Sequence, residues 1–147
     1  MTEVAKQELL ETRKETYKHW TEVNLRFGDT DRQGHINNSV YATLYESGRF
    51  AFFDEGFRKS EDGKHSITLA RVAIDFRIEL YFPGTVSVGS RILSVGKSSL
   101  KLGQAIFKDD ICHSISDSVL VFIDLSTRRS TPFTKEMLSI VEGLLNA

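Results

Sequence analysis

The chain has 147 residues, 40% of them hydrophobic and 27% charged, which suits one ordinary domain with a real core. Lys and Arg number 19 against 20 Asp and Glu, a formal net charge of -1, so the basic excess of a nucleic-acid binder is missing. A single cysteine, Cys112, excludes an intrachain disulfide framework.

The first stretch, MTEVAKQELLETRKETYKHW, has no apolar core of the signal-peptide kind. No run approaches the roughly 20 apolar residues of a membrane span. A cytoplasmic protein is expected, with residues 1–17 as a charged arm, either a short helix or frayed. WTEVNLRF, Trp20 to Phe27, alternates with Val23, Leu25 and Phe27 on one side, which predicts a half-buried strand.

A polar loop, GDTDRQGHINN, comes next. SVYATLYESGRFAFFDEGF follows it. At 100° per residue, Val40, Tyr41, Leu44, Tyr45, Gly48, Ala51 and Phe52 share one arc, predicting a long amphipathic helix. Asn37 or Asn38 is the expected N-cap, and Gly56 the expected C-terminal stop. Gly48 lies inside the apolar arc at a cost of about 1 kcal/mol relative to Ala, which close packing on a sheet explains. Glu46, Phe50 and Phe53 form a second patch. It reads either as a wider buried face or as a subunit contact or substrate wall.

RKSEDGKH is a loop, and beyond it the pattern turns to β. RVAIDFRIELYF alternates through Val72, Ile74, Phe76, Ile78, Leu80 and Phe82. Ile67 and Leu69 have the opposite parity, predicting a bulge near Ala70. Pro83-Gly84 marks a turn. TVSVGSRILSV and SSLKLGQAIF are strands joined at Gly96-Lys97. Asp109-Asp110 marks a tight hairpin turn, ICHSISDSVLVFIDL is a long last strand, and residues 132–147 form a C-terminal helix. One strand, a long helix and four more strands imply an α+β layer, with the helix on one face of an antiparallel sheet. The other face needs cover, for which a partner subunit is one source.

The loop invites a metal reading first. Asp29, Asp31, Gln33 and Gly34 fit positions 1, 3, 5 and 6 of a calcium loop, but the twelfth position is Val40 where a bidentate Glu is needed. Zinc needs more His or Cys than His35 supplies, and His65 and His113 lie far away without ligand spacing. Both are read as surface or structural histidines, and no metal site is expected. No G-x-S-x-G elbow is present. Cys112 and His113 are adjacent on a predicted strand and point to opposite faces, so Cys112 is read as structural. What remains is a carboxylate, Asp31, a short loop ahead of a helix N-terminus whose free amides suit an oxyanion. Two readings are open: acyl transfer or hydrolysis at that gap, or an aspartate that only caps turn amides.

The stretch DTDRQGHINNSVYATLYESGR resembles the signature of hotdog-fold acyl-CoA thioesterases, the 4-hydroxybenzoyl-CoA thioesterase superfamily, with most of its fixed positions matched. In pattern it is near the bacterial long-chain acyl-CoA branch. The resemblance spans residues 20 to 130. It implies a single hotdog domain over 1–147, with an antiparallel five-stranded sheet wrapped around the long helix. It also implies a homodimer or homotetramer with active sites at the subunit interface, an acyl-CoA substrate and no cofactor.

By similarity Asp31 is the catalytic carboxylate and Asp29 is structural. The backbone N–H of Asn38 polarises the thioester carbonyl, and His35 supports Asp31 or its loop. Asn38 stands where some relatives carry His or Tyr, which leaves no side-chain general acid there. Lys97 is the expected contact for the CoA phosphates, with Arg128 and Arg129 as weaker candidates. Tyr41 and Tyr45 are expected to line the substrate pocket, or else to fill the core. A hotdog enoyl-CoA hydratase fits less well, because its Asp and His have four residues between them, whereas here three lie between Asp31 and His35 and five between Asp29 and His35. The alternative of another class is a non-catalytic acyl- or CoA-binding protein.

Overall fold

The computed structural model describes residues 2–59 and 62–145. In chain order these form α1 (Glu3–Glu11), β1 (His19–Asn24), α2 (Asn38–Lys59), β2 (His65–Phe76), β3 (Thr85–Val95), β4 (Ser99–Lys108), β5 (Ile111–Asp124), a two-residue β6 (Arg129–Ser130) and α3 (Lys135–Leu145). Every strand pairing is antiparallel, and the sheet order is β1-β3-β4-β5-β2, with β6 added on β5. No helix among the described residues is long and apolar enough to cross a membrane.

The predicted helical arc is the face α2 buries. Tyr41, Leu44 and Tyr45 pack with Leu25, Ile36, Leu80, Val86, Val88 and Ile106 in one core cluster. Two turns further on, Phe52 and Phe53 meet Ile92, Leu100, Leu102, Leu120 and Val141 of α3 in a second. Phe53 of the second patch is therefore core, while Phe50 is 69% exposed.

Gly48 lies where helix and sheet approach most closely. A Cβ there would sit 2.5 Å from Val88 Cγ1 and 2.9 Å from Gln104 Nε2. Gln104 uses that Nε2 to donate to the Tyr45 carbonyl at 3.1 Å and to Ser90 Oγ at 3.0 Å, tying sheet to helix at the same level.

The opposite face of the sheet is partly covered by the chain itself. Ile106 faces α2, so Ala105 and Phe107 point away from it. They pack with Cys112, Ile115 and Tyr17, with Trp20 against them. Cys112 is buried there and its thiol is pushed up by desolvation, as suits a structural cysteine. The end of the charged arm thus supplies Tyr17 to this cluster, and β1 supplies Trp20. The sheet's free edge, β2, leaves Leu69, Val72 and Phe76 exposed.

Other sequence readings hold in detail. The ladder between β2 and β5 shifts register between Leu69 and Arg71, at the predicted bulge. Asp109 and Asp110 both have positive φ, as a type I′ hairpin turn requires. Three readings need correction. The first strand ends at Asn24, not Phe27, because residues 27–29 coil into a single 3-10 turn. Gly56 does not stop α2, which runs on to Lys59; glycine weakens a helix by about 1 kcal/mol but does not end it. The strand predicted through Phe82 ends at Phe76, and residues 77–84 form an irregular segment with a cis Phe82-Pro83 peptide.

Replacing Gly48 by Ala gains helix propensity but forces its methyl into Val88. The expected net effect is a destabilisation of roughly 1–3 kcal/mol, the usual cost of overpacking, read as a lower midpoint in urea with an unchanged slope.

Candidate active site

The polar loop is built on Asp29. Its carboxylate, only 3% exposed, accepts from Arg26 N at 2.8 Å, Arg26 Nε at 3.1 Å and Arg26 Nη2 at 2.7 Å. The Arg26 side chain above all holds its pKa below the usual carboxylate range, against the opposing effect of burial. Its carbonyl accepts from Asn37 N at 2.8 Å, so one residue ties the entry and the exit of the loop. The first aspartate of the motif is thus engaged on both sides of the loop by its carboxylate and its carbonyl.

Asp31 heads the turn between these ties. Its N–H donates to the His35 carbonyl at 2.8 Å, and its carbonyl accepts from Gly34 N at 3.1 Å. Gly34 has φ of +84°, which a residue with a side chain rarely adopts. Asp31 Oδ1 accepts from Gln33 N at 2.9 Å, an Asx turn. Among the described residues nothing donates to its Oδ2. His35 supports the loop through its main chain, while its ring packs edge-on against Tyr81 at 5.0 Å.

The start of α2 leaves one donor open. Asn37 is the N-cap, its Oδ1 accepting from Ser39 N at 3.0 Å and Ser39 Oγ at 2.9 Å, and its carbonyl accepting from Val40 N at 2.9 Å. Among the described residues the N–H of Asn38 between them has no acceptor. It sits at the positive end of a 22-residue helix.

Beside this helix end is a cleft of about 160 Å³, with His35, Ile36, Asn38 and Tyr41 on one side and residues 76–80 on the other. Tyr41 is buried edge-on against Phe76 at 4.9 Å, and burial pushes its phenol up. The wall formed by 76–83 is held through its backbone. The Leu80 carbonyl accepts from Ile36 N at 2.7 Å. His113 Nδ1 lies 3.1 Å from the carbonyls of both Ile78 and Glu79, so the Nδ1–H tautomer donates to them, and its own carbonyl accepts from Arg77 N and Ile78 N. Lys108 Nζ donates to the Tyr81 and Pro83 carbonyls, both at 2.8 Å.

The expected site residues are therefore only partly assembled in one chain. Asn38, His35 and Tyr41 line the cleft, and Asp31 sits on the turn beside it. Tyr45 is 0% exposed beneath the cleft, donating to Ser114 Oγ at 2.6 Å, so it fills the core. Lys97 is remote. Asn24 pairs with Thr85 at the loop end of the sheet, and Lys97 follows the other end of β3, roughly 35 Å away at the usual strand rise. Arg128 and Arg129 lie at that far end too, next to Asp124, the partner of His65 at the start of β2. His65 is satisfied there by Asp62 at 2.5 Å and stacks on Phe122. Lys108 and His113 went unread in the sequence as wall supports. Their placement on either side of a two-residue hairpin turn was the available signal.

Residues 25–141, from the polar loop into α3, match the model of one family, the thioesterase-like superfamily. The chain belongs to that superfamily. Its architecture is the hotdog fold. Solved thioesterase-like structures agree. A thioesterase from Thermus thermophilus complexed with coenzyme A and Zn is 25% identical, with 87% of this chain and 95% of that one covered and a TM-score of 0.76. A predicted thioesterase from Bacillus stearothermophilus is 23% identical, with coverages of 86% and 95% and a TM-score of 0.78. A Staphylococcus aureus protein in complex with CoA shares the fold at 15% identity, with coverages of 86% and 83% and a TM-score of 0.79. No curated protein matches the chain.

The depressed pKa of Asp29 makes its contribution pH-dependent. The stabilisation is present above the unfolded-state pKa of about 4 and is lost as pH falls through the folded value. Asp29→Asn is expected to cost roughly 1–2 kcal/mol at pH 7, with the difference from the parent protein shrinking by pH 3. Urea titrations of both proteins at the two pH values check this.

Proposed function

We propose that this protein hydrolyses an acyl-CoA thioester to the free acid and CoA, with Asp31 as the reacting carboxylate and the Asn38 N–H as the oxyanion donor. The observation that carries the proposal is the unpaired Asn38 N–H at the start of α2, close in sequence to a carboxylate with one oxygen left open. The superfamily and the CoA-bound relatives support the substrate class.

The thioester carbonyl lies with its oxygen toward Asn38 N. As charge develops on that oxygen, the helix end stabilises it without reorganising. Asp31 then acts in one of two ways. As nucleophile, its oxygen attacks the carbonyl carbon, the C–S bond breaks, CoA leaves as a thiolate, and water opens the resulting anhydride. As general base, it takes a proton from a water that attacks the same carbon, with the same thiolate leaving. His35 holds the turn by accepting from Asp31 N, and Asn37 caps the helix so that Asn38 keeps its donor free.

The site is completed by a second copy of the chain. A cleft of about 160 Å³ is well below the roughly 300 Å³ at which small-molecule sites begin. The edge strand β2 ends at Phe76 on the cleft wall and presents exposed Leu69 and Val72 along an unpaired edge, a surface suited to edge-to-edge pairing. Lys97, remote within one chain, reaches a CoA phosphate in this reading only as a contribution from the partner.

Asp31→Asn is expected to lower kcat on acyl-CoA substrates by at least about a hundredfold, with the circular dichroism spectrum and melting temperature unchanged. A near-normal rate would overturn the assignment. In a single turnover in ¹⁸O-labelled water, label appearing in Asp31 identifies the nucleophile route, because water that opens the anhydride at the Asp31 carboxyl carbon leaves its oxygen there. Light scattering is expected to give a dimer or a multiple of one; full activity in a monomer would remove the shared site.

A further inference from the structure

A second opening lies away from this loop, at the other edge of the sheet. β1 begins at His19, opposite Ser90, so residues 91–95 of β3 have no strand beside them on that edge. The end of α3 passes there instead, leaving an opening of about 280 Å³. Its inner side is apolar, formed by Phe52, Ile92, Leu144 and Leu145. Its rim is polar and basic, with Lys18, His19 and Arg91.

Three observations give this opening a chemistry. Among the described residues neither Lys18 nor Arg91 is in an ion pair; Arg91 has only the face of the Tyr17 ring, 5.9 Å away. Among the described residues His19 Nδ1 and Arg91 Nε are buried with no hydrogen-bond partner, so of the Arg91 guanidinium the Nη groups are the part left for a ligand. The His19 ring is packed edge-on against Phe52 at 5.1 Å, so the polar rim and the apolar floor meet at one pair of rings. Burial lowers the His19 pKa, which keeps the ring neutral near pH 7, with one N–H to donate. Arg91 also lines an adjoining open depression with Arg13 and Glu15, where the nearest lining carboxylate is found.

We propose that this opening binds a short- to medium-chain fatty carboxylate, its head held by the Arg91 Nη groups and Lys18 and its chain laid along Phe52, Ile92, Leu144 and Leu145. The carboxylate supplies the counter-charge that Lys18 and Arg91 lack, and the two Nη groups of a guanidinium can take it through two parallel bonds. The volume is close to the lower end of small-molecule sites, roughly 300 Å³. The site is separate from Asp31 and stands whether or not Asp31 is catalytic.

The test is a titration of the full-length protein, ¹³C-labelled at Ile and Leu methyls, with sodium octanoate and with 1-octanol. Octanoate is expected to shift the methyls of Ile92, Leu144 and Leu145. Arg91→Gln and Lys18→Gln should each weaken it about tenfold, as for loss of one charge-assisted contact. Octanol should bind at least about tenfold more weakly than octanoate, and Asp31→Asn should bind octanoate as the parent does. Absence of shifts at these methyls overturns the proposal. So does octanol binding as well as octanoate, or parent-like binding by a folded Arg91→Gln or Lys18→Gln protein. Binding lost in Asp31→Asn assigns the acid to the first site and overturns the second.

Discussion

The arrangement around the helix start depends on how Asp29 is bonded. Its carboxylate fixes the chain as it leaves β1, through the Arg26 amide and guanidinium, and its carbonyl fixes the chain as it enters α2, through Asn37 N. The residues between have little freedom left. Asp31 is placed by the turn they make, and Asn37 is delivered in the orientation that caps the helix. An aspartate bonded at both ends of the loop thereby sets the relation between a carboxylate and a helix dipole. It can do so because a buried, charge-assisted acceptor is worth more than the entropy of a short loop.

Much of this was legible in the sequence. TVSVGSRILSV matches β3 to the residue, since the turn residues Pro83-Gly84 and Gly96-Lys97 bound it on both sides. The bulge near Ala70 followed from a parity change, and the close approach at Gly48 from a glycine placed where a helix is most buried. The legible part of the site was the loop, because its residues are contiguous and its helix cap is local chemistry. Asn37, not Asn38, is the cap, which matters because it leaves the Asn38 amide open.

What the sequence hid is non-local. Alternation continues from Arg71 to Phe82, yet the strand stops at Phe76. Beyond that point the Arg77 and Ile78 amides turn to the His113 carbonyl, and the Tyr81 and Pro83 carbonyls turn to Lys108. Periodicity records which side chains are buried, not which partner the backbone finds. Tyr45 shows the same limit. Tyr41 and Tyr45 are one helical turn apart on the same arc, but one reaches the cleft and the other is sealed against Ser114. Lys97 fell in the expected turn, but a turn is a position in a chain, and its distance from Asp31 is set by the length of β3.

The cleft wall is held by main-chain atoms. Carbonyls of Ile78, Glu79, Leu80, Tyr81 and Pro83 accept, and amides of Arg77 and Ile78 donate, to anchors on the β4–β5 hairpin and the polar loop. The side chains of Ile78, Glu79 and Tyr81 take no part in those bonds and are exposed. Shape and lining are thus specified by different atoms. Of the three, Ile78 and Glu79 line the cleft, so substitutions there can change what it accepts while the wall itself stays in place, and the segment is free to drift in selectivity at little cost in stability.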